Sequence, residues 1–308
     1  MWPELFRALA FRFWALAVGL AGLGGAAAAH GAAGWSVATF NVENYTLADR
    51  LVEGVYRRDY PKPETAKTAV RRTLIDLAAE IVVLQEMGGP EFLTELQRDL
   101  RSEGLNYPYA ALVTAADQDR RLALLARNAP LEFRAHTDLT ISYFGGREAV
   151  KRGLLEAVFA HPDGPITLFA VHLKSRYTDR PDDPQSALRR AAEAVALRDR
   201  ILERCPDPER MPFLVVGDFN DLRPMRPIRA FLQRGERPLS LLLPAADSRG
   251  EVWTHRYQKE DTYSRVDYVL VSPGLYPWIE GGQATIADSP WVRQASDHRP
   301  LLVRVSLR

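Results

Sequence analysis

The sequence predicts a mixed α and β fold whose strands are covered on both faces. Three observations carry this expectation. From Trp35 onward, short apolar runs alternate with amphipathic stretches and Pro-rich connectors. Several runs, such as Ile81-Val82-Val83-Leu84 and Phe213-Leu214-Val215-Val216, contain no polar residue, so neither face of those strands is solvated. The Pro-rich patches at 181–184, 206–212 and 224–227 are short and adjoin predicted elements, as loops of one unit do. A single domain over 34–308 follows, with no internal repeat or low-complexity tract.

Taken in chain order, the first element is a leader. Arg7 and Arg12 precede an apolar run from Phe13 to Ala29, and Ala27–Ala29 offers an A-x-A processing site. Residues 1–29 therefore read as a signal peptide, and the mature protein as exported to the periplasm or beyond. An uncleaved N-terminal membrane anchor is the alternative, because the run approaches the length of a span. No later segment is long and apolar enough to cross a bilayer, so no stable span is expected after processing.

Strands are predicted at 35–40, 81–85, 109–113, 122–126, 131–138, 154–160, 165–171, 213–217, 266–272 and 301–307. A helix over 63–79 leads straight into the strand at Ile81, and another covers 91–100. The clearest helix starts at Asp183-Pro184, a capping side chain followed by a first-turn proline, and runs to about Cys205. Leu188, Ala191, Val195 and Leu202 are its expected buried stripe.

Composition narrows the class further. The 308 residues are 46% hydrophobic and 26% charged, enough apolar content for a folded core rather than disorder. The single cysteine, Cys205, excludes an intramolecular disulfide and cysteine-based zinc sites. There are 40 basic and 39 acidic side chains; losing Arg7, Arg12 and Glu4 with the leader leaves 38 against 38. Blanket attraction to a polyanion is therefore weak, and any such binding must be local.

Apolar strands repeatedly end on a side chain suited to phosphate or metal chemistry. Residues 37–40 run into Asn41, 81–85 into Glu86, 168–171 into His172, and 214–217 into Asp218, followed by Phe219 and Asn220. Ligand sites favour such strand ends. Asp267 lies within the apolar run 266–271, where a carboxylate needs a partner, and Ser296-Asp297-His298 precedes the last strand.

The segments ATFNVEN, VVLQEM, VHLKS, VVGDFND, RVDYVLVS and SDHRPL resemble, in this order, the signature segments of the endonuclease/exonuclease/phosphatase superfamily, the deoxyribonuclease-I-like fold. The resemblance spans about residues 35–307. It implies a four-layer α/β sandwich, two mostly antiparallel sheets face to face with helices outside. It also implies phosphoester hydrolysis with a divalent metal, magnesium with manganese as the alternative.

Carried over residue by residue, the resemblance makes Glu86 the principal metal ligand, with Asn41 and Asp297 completing the site through oxygen. Asp218 would orient or deprotonate the attacking water, while Asn220 and His172 stabilise charge on the phosphoryl oxygens. Asp267 would hold His298 in one tautomer and favour its imidazolium form. Which histidine is acid and which base stays open. Arg152, Lys174 and Arg176 are expected phosphate contacts of lesser weight.

Each residue also has a structural reading. Asn41, Asn220, Asp218 and Asp297 suit turns, and Asp267 could pair with Arg265 or Arg299. His30, His136, His161 and His255 match no motif and read as surface or structural. Arg120, Arg121 and Arg127, with Asp117 and Asp119 beside them, read as a solvated charged hairpin. The leading expectation is a monomeric phosphodiesterase acting on DNA or RNA. A phospholipid, sphingomyelin or inositol-phosphate hydrolase is the alternative, helped by an exposed aromatic loop at Tyr276/Trp278 or Pro290/Trp291. A non-catalytic binding protein on this fold ranks third. Substrate preference resides in the loops 44–62, 114–121, 140–151 and 175–184.

Overall fold

All ten predicted strands and all three predicted helices form in the computed structural model, which describes residues 35–178 and 180–306. The leader assigned to 1–29, with His30, lies outside the described residues. The sheets are built from β1 (Trp35–Tyr45), β2 (Ile81–Met87), β3 (Tyr109–Val113), β4 (Arg121–Ala126), β5 (Glu132–His136), β6 (Leu154–Phe159), β7 (Ile166–His172), β8 (Phe213–Asp218), β9 (Leu241–Leu242), β10 (Ala245–Ala246), β11 (Asp267–Val271), β12 (Ala284–Ile286) and β13 (Leu301–Val305). One sheet has the order β10-β12-β13-β1-β2-β4-β3 and the other β9-β11-β8-β7-β6-β5. Only the pairs β1–β2, β7–β8 and β10–β12 are parallel.

Alternation along the strands divides the apolar residues among three cores. Val37, Val83, Leu124, Leu168, Leu214 and Val269 point between the sheets. Ala38, Phe40, Val82 and Leu84 point the other way, against α1 (Glu64–Leu77) and α2 (Pro90–Ser102). Phe169, Val215 and Leu270 meet α3 (Ala187–Arg204) and α4 (Arg226–Leu232). The result is helix, sheet, sheet, helix, the expected four-layer sandwich. Its doubly covered strands explain the absence of polar positions in the apolar runs.

The longest helix departs from expectation in its buried face. Leu188 and Val195 are exposed, while Arg189, Arg190, Glu193, Ala194, Leu197 and Ile201 face inward. Charged side chains occupy that face because each finds a partner: Arg190 Nε lies 3.0 Å from Asp221, and Arg189 pairs with Glu148 and Glu193. Leu188 and Val195 therefore mark the wrong side, and Ala194, Leu197 and Ile201 make the apolar packing. Asp183 does cap the helix, accepting the Leu188 and Arg189 N–H groups at 2.9 and 3.1 Å, but a 3₁₀ turn at Pro184–Ser186 separates cap from helix. The loops expected at 44–62 and 140–151 fold as hairpins, Leu47–Val52 with Val55–Pro61 and Thr140–Tyr143 with Gly146–Ala149.

Two further features bear on the site. Gly217, one residue before Asp218, has φ +136°, and a Cβ there would lie 2.0 Å from the Val171 carbonyl oxygen. Only glycine lets β7 and β8 approach this closely. Among the described residues, no helix is long and apolar enough to cross a membrane.

Candidate active site

The inter-sheet positions continue to the strand ends, where they turn polar. Residues 37 and 39 lead to Asn41, 168 and 170 to His172, and 214 and 216 to Asp218, while 271 and 269 lead to Asp267 on an antiparallel strand. The register sets His172 beside Asp218 and Asp218 beside Asp267. Asn41 Nδ2 donates to Asp218 Oδ2 at 3.1 Å and ties one sheet to the other. Glu86 is out of phase with this pattern. It sits at a register slip between Leu84 and Met87 with φ +62°, a left-handed conformation that re-aims its side chain. Its carboxylate accepts the Asn44 N–H at 2.9 Å and lies 3.9 Å from His172 Nε2.

Asp218 is the hub. It accepts from the Asn220 backbone N–H at 2.8 Å and from Asn220 Nδ2 at 3.0 Å, and stands 3.6 Å from His172 Nε2 and 3.9 Å from His298 Nε2. Burial pushes its pKa up to about 7, with the Asp267 carboxylate adding to the shift and His298 opposing it. His298 Nδ1 lies 2.8 Å from Asp267 Oδ2, and both residues are buried. Thr254 Oγ1 accepts the Asp267 N–H, Ser296 Oγ accepts the His298 N–H, and Arg299 is engaged instead by Asp247.

The two histidines differ in charge. Burial alone would depress His298, but the carboxylates of Asp267, Asp218 and Asp297 outweigh it and hold the ring well above the usual imidazole range. His172 is held well below that range by burial and then by Arg152, His298, Arg120 and Lys174. Both ring nitrogens of His172 are buried with no hydrogen-bond partner among the described residues.

Beside Glu86 stands a second acid that sequence reasoning missed. Burial, and next the Asp297 carboxylate, raise Glu43, with Glu86 adding to the shift and Lys62 and Arg50 opposing it. Glu43 has φ +46°, and its N–H is accepted by Asn41 Oδ1 at 3.0 Å. Its place within Asn41-Val42-Glu43-Asn44 was the available signal. His255 was missed as well: its Nε2 lies 3.6 Å from Asp297, and its ring centroid 4.6 Å from that of His298. The imidazole and carboxylate atoms of His255, Asp297 and His298 lie within 4.8 Å of one another, as do those of Asp218, Asp267 and His298. The carboxylates of Asp297 and Glu86 both act on Glu43, and oxygen donors gathered in this way fit a hard divalent ion.

A groove of about 700 Å³ opens from this end of the sheets, lined by the cations Arg120, Lys151, Arg152 and Lys174 and by the acids Glu86, Asp117 and Asp119, among others. Arg152 is 5% exposed; its Nη2 lies 3.1 Å from Asp117, while its Nε and Nη1 have no partner among the described residues. Arg120, expected on a solvated hairpin, lines the groove instead. Arg176 is half exposed and turns to Asp221 at 4.0 Å. Trp278 is buried against His161, which removes it from any membrane-facing loop, whereas Tyr276 and Trp291 are partly exposed.

The sequence pattern of the Endonuclease/Exonuclease/phosphatase family matches residues 38–298. The chain belongs to this family. Family members are phosphoesterase hydrolases, mostly metal-dependent. No curated protein sequence matches the chain significantly. The fold is similar to a beta toxin mutant of Staphylococcus aureus with bound magnesium ions (12% identity, 89% of this chain and 100% of that one, TM-score 0.60). It is also similar to sphingomyelinase C from Streptomyces griseocarneus (14%, 89% and 99%, 0.58). The human Nocturnin catalytic domain with a bound sulfate anion is a third such structure (14%, 89% and 95%, 0.60).

Proposed function

We propose that this phosphoesterase is a magnesium-dependent phosphodiesterase acting on nucleic acid, working as an exported monomer, with manganese as the alternative ion. The observation that carries the reading is the convergence of Asn41, His172, Asp218 and the His298–Asp267 pair at one end of the two sheets, next to Glu86.

In this reading Glu86, Asn41 and Asp297 hold the ion, which when bound supplies charge stabilisation to phosphoryl oxygens. Asp218, poised near neutrality and fixed by Asn41 and Asn220, takes a proton from the attacking water. His298, kept cationic by Asp267, donates from Nε2 to the phosphoryl group and supplies the proton that the leaving oxygen takes as its bond to phosphorus breaks. His172 stays neutral and offers a second donor. Arg152, whose Nε and Nη1 have no partner among the described residues, adds positive charge beside His172 for the same phosphate.

The test is a hydrolysis screen of the full-length protein after chelation, with magnesium or manganese restored. DNA, RNA and bis(p-nitrophenyl) phosphate should be cleaved only with the ion present. Cleavage of sphingomyelin or inositol phosphates with nucleic acid left intact would refute the subtype. Inactivity on all substrates would refute the assignment.

A further inference from the structure

The groove beyond the catalytic cluster holds more positive charge than one phosphate needs. Arg120, Lys151 and Lys174 line it together with Arg152. Among the described residues no carboxylate forms an ion pair with the side chains of Arg120 or Lys151, and Lys174 Nζ contacts Ser175 and Tyr177. All three are half-buried rather than splayed into solvent.

Glu193 and Asp117 hold these cations in place through their backbones, without an ion pair to the charged heads. Glu193, 0% exposed on α3, accepts the Lys151 N–H at 3.3 Å and the Lys174 N–H at 3.0 Å. Asp117 accepts the Arg120 N–H at 3.1 Å, binds Arg152, and donates its own N–H to the Lys151 carbonyl. Arg120, Lys151, Lys174 and Arg152 thereby face one groove that Glu86, Asp117 and Asp119 also line; Arg152 takes Asp117, and three cations remain without an ion-pair partner, an excess that suits an anion. The near-zero net charge of the chain makes a local concentration the more informative.

The geometry points to a second phosphate subsite formed by Arg120, Lys151 and Lys174, and hence to a substrate with consecutive phosphates, a polynucleotide strand rather than a single-phosphate lipid head group. This rests on the phosphodiesterase reading above and specifies its substrate. Arg152 and His172 take the scissile phosphate, and the neighbouring phosphate lies along the lysine and arginine wall. The exposed ring of Tyr177, 5.7 Å from Lys174 Nζ, stands at the rim where a base can stack. Lys174 is depressed to about 8 by burial and then by Arg152, with Glu193 opposing the shift.

The experiment compares chromogenic nucleotides that share one scissile bond. Thymidine 5′-(p-nitrophenyl phosphate) is assayed with and without a 3′-phosphate, and thymidine 3′-(p-nitrophenyl phosphate) with and without a 5′-phosphate, all with magnesium. In one polarity the second phosphate should raise kcat/KM about tenfold or more, mainly through KM. The Arg120→Ala/Lys151→Ala variant should lose most of that preference; Lys151→Gln, a milder change, should lose part of it. Equal kcat/KM in both polarities, or a preference that survives in the double variant, overturns the subsite. Stronger inhibition by inositol 1,4-bisphosphate than by thymidine 3′,5′-bisphosphate overturns the polynucleotide assignment. If neither the nucleotides nor bis(p-nitrophenyl) phosphate is hydrolysed, the phosphodiesterase reading itself has failed.

Discussion

Replacing Asp267 by asparagine tests whether the charge on His298 matters to the reaction. The His298 Nδ1 to Asp267 Oδ2 contact is 2.8 Å, with Asp267 2% and His298 7% exposed, so water cannot take over the lost role. A hydrogen bond to a charged group contributes about 1.5–3 kcal/mol. If that contribution is expressed when charge develops on the phosphoryl group, kcat falls roughly 10- to 150-fold. A larger loss is not expected, because Asp218 and Asp297 also favour the imidazolium and remain in place. The assay is steady-state hydrolysis of bis(p-nitrophenyl) phosphate with magnesium, followed alongside a thermal melt. The expected signature is a fall in kcat with KM changed by less than about threefold, since a group acting in the transition state leaves ground-state binding alone. A kcat within twofold of the native value, in a variant that still melts cooperatively, refutes the reasoning.

Two other perturbations follow from the same geometry. Glu43→Gln removes a carboxylate that interacts with both Asp297 and Glu86, and magnesium affinity by calorimetry should weaken about tenfold or more; unchanged affinity would exclude Glu43 from the ion's surroundings. Lys174 is depressed to about 8 by burial, Arg152, Lys151 and Arg189 against the opposing pull of Glu193, so it is a cation below that pH and neutral above it. KM for an anionic substrate should therefore rise as pH passes through about 8, where an ordinary lysine would hold its charge to about 10.4. Lys174→Arg, which cannot deprotonate in this range, should abolish that rise; an identical rise in both proteins would assign it elsewhere.

The contrast between what the sequence revealed and what it hid has a physical cause. Strands buried on both faces must be apolar throughout, so their ends are legible as the points where Asn41, His172 and Asp218 interrupt the run. The same rule placed Asp267 as a buried carboxylate in need of a partner, and His298 supplies it. Hydrophobic pattern fails where charges are buried in pairs. Arg190 and Glu193 lie on the inner face of α3 beside Ala194, Leu197 and Ile201, so the exposed Leu188 and Val195 are misread as its core. It fails again where backbone conformation rather than alternation aims a side chain. Glu43 and Glu86 both reach the site through positive φ, and nothing in a count of apolar positions announces that. Arg120 belongs with these cases. Taken with its neighbours it reads as one charge in a solvated hairpin, and only the hold of Asp117 on its backbone turns it into the groove. Asn41, His172, Asp218 and Asp267 are thus fixed by strand periodicity, whereas the substrate-facing charges are fixed by Asp117 and Glu193, which bind their main chain. Altering Glu193, which holds Lys151 and Lys174 by their main chain, can therefore change substrate choice without replacing a residue of the phosphoester chemistry.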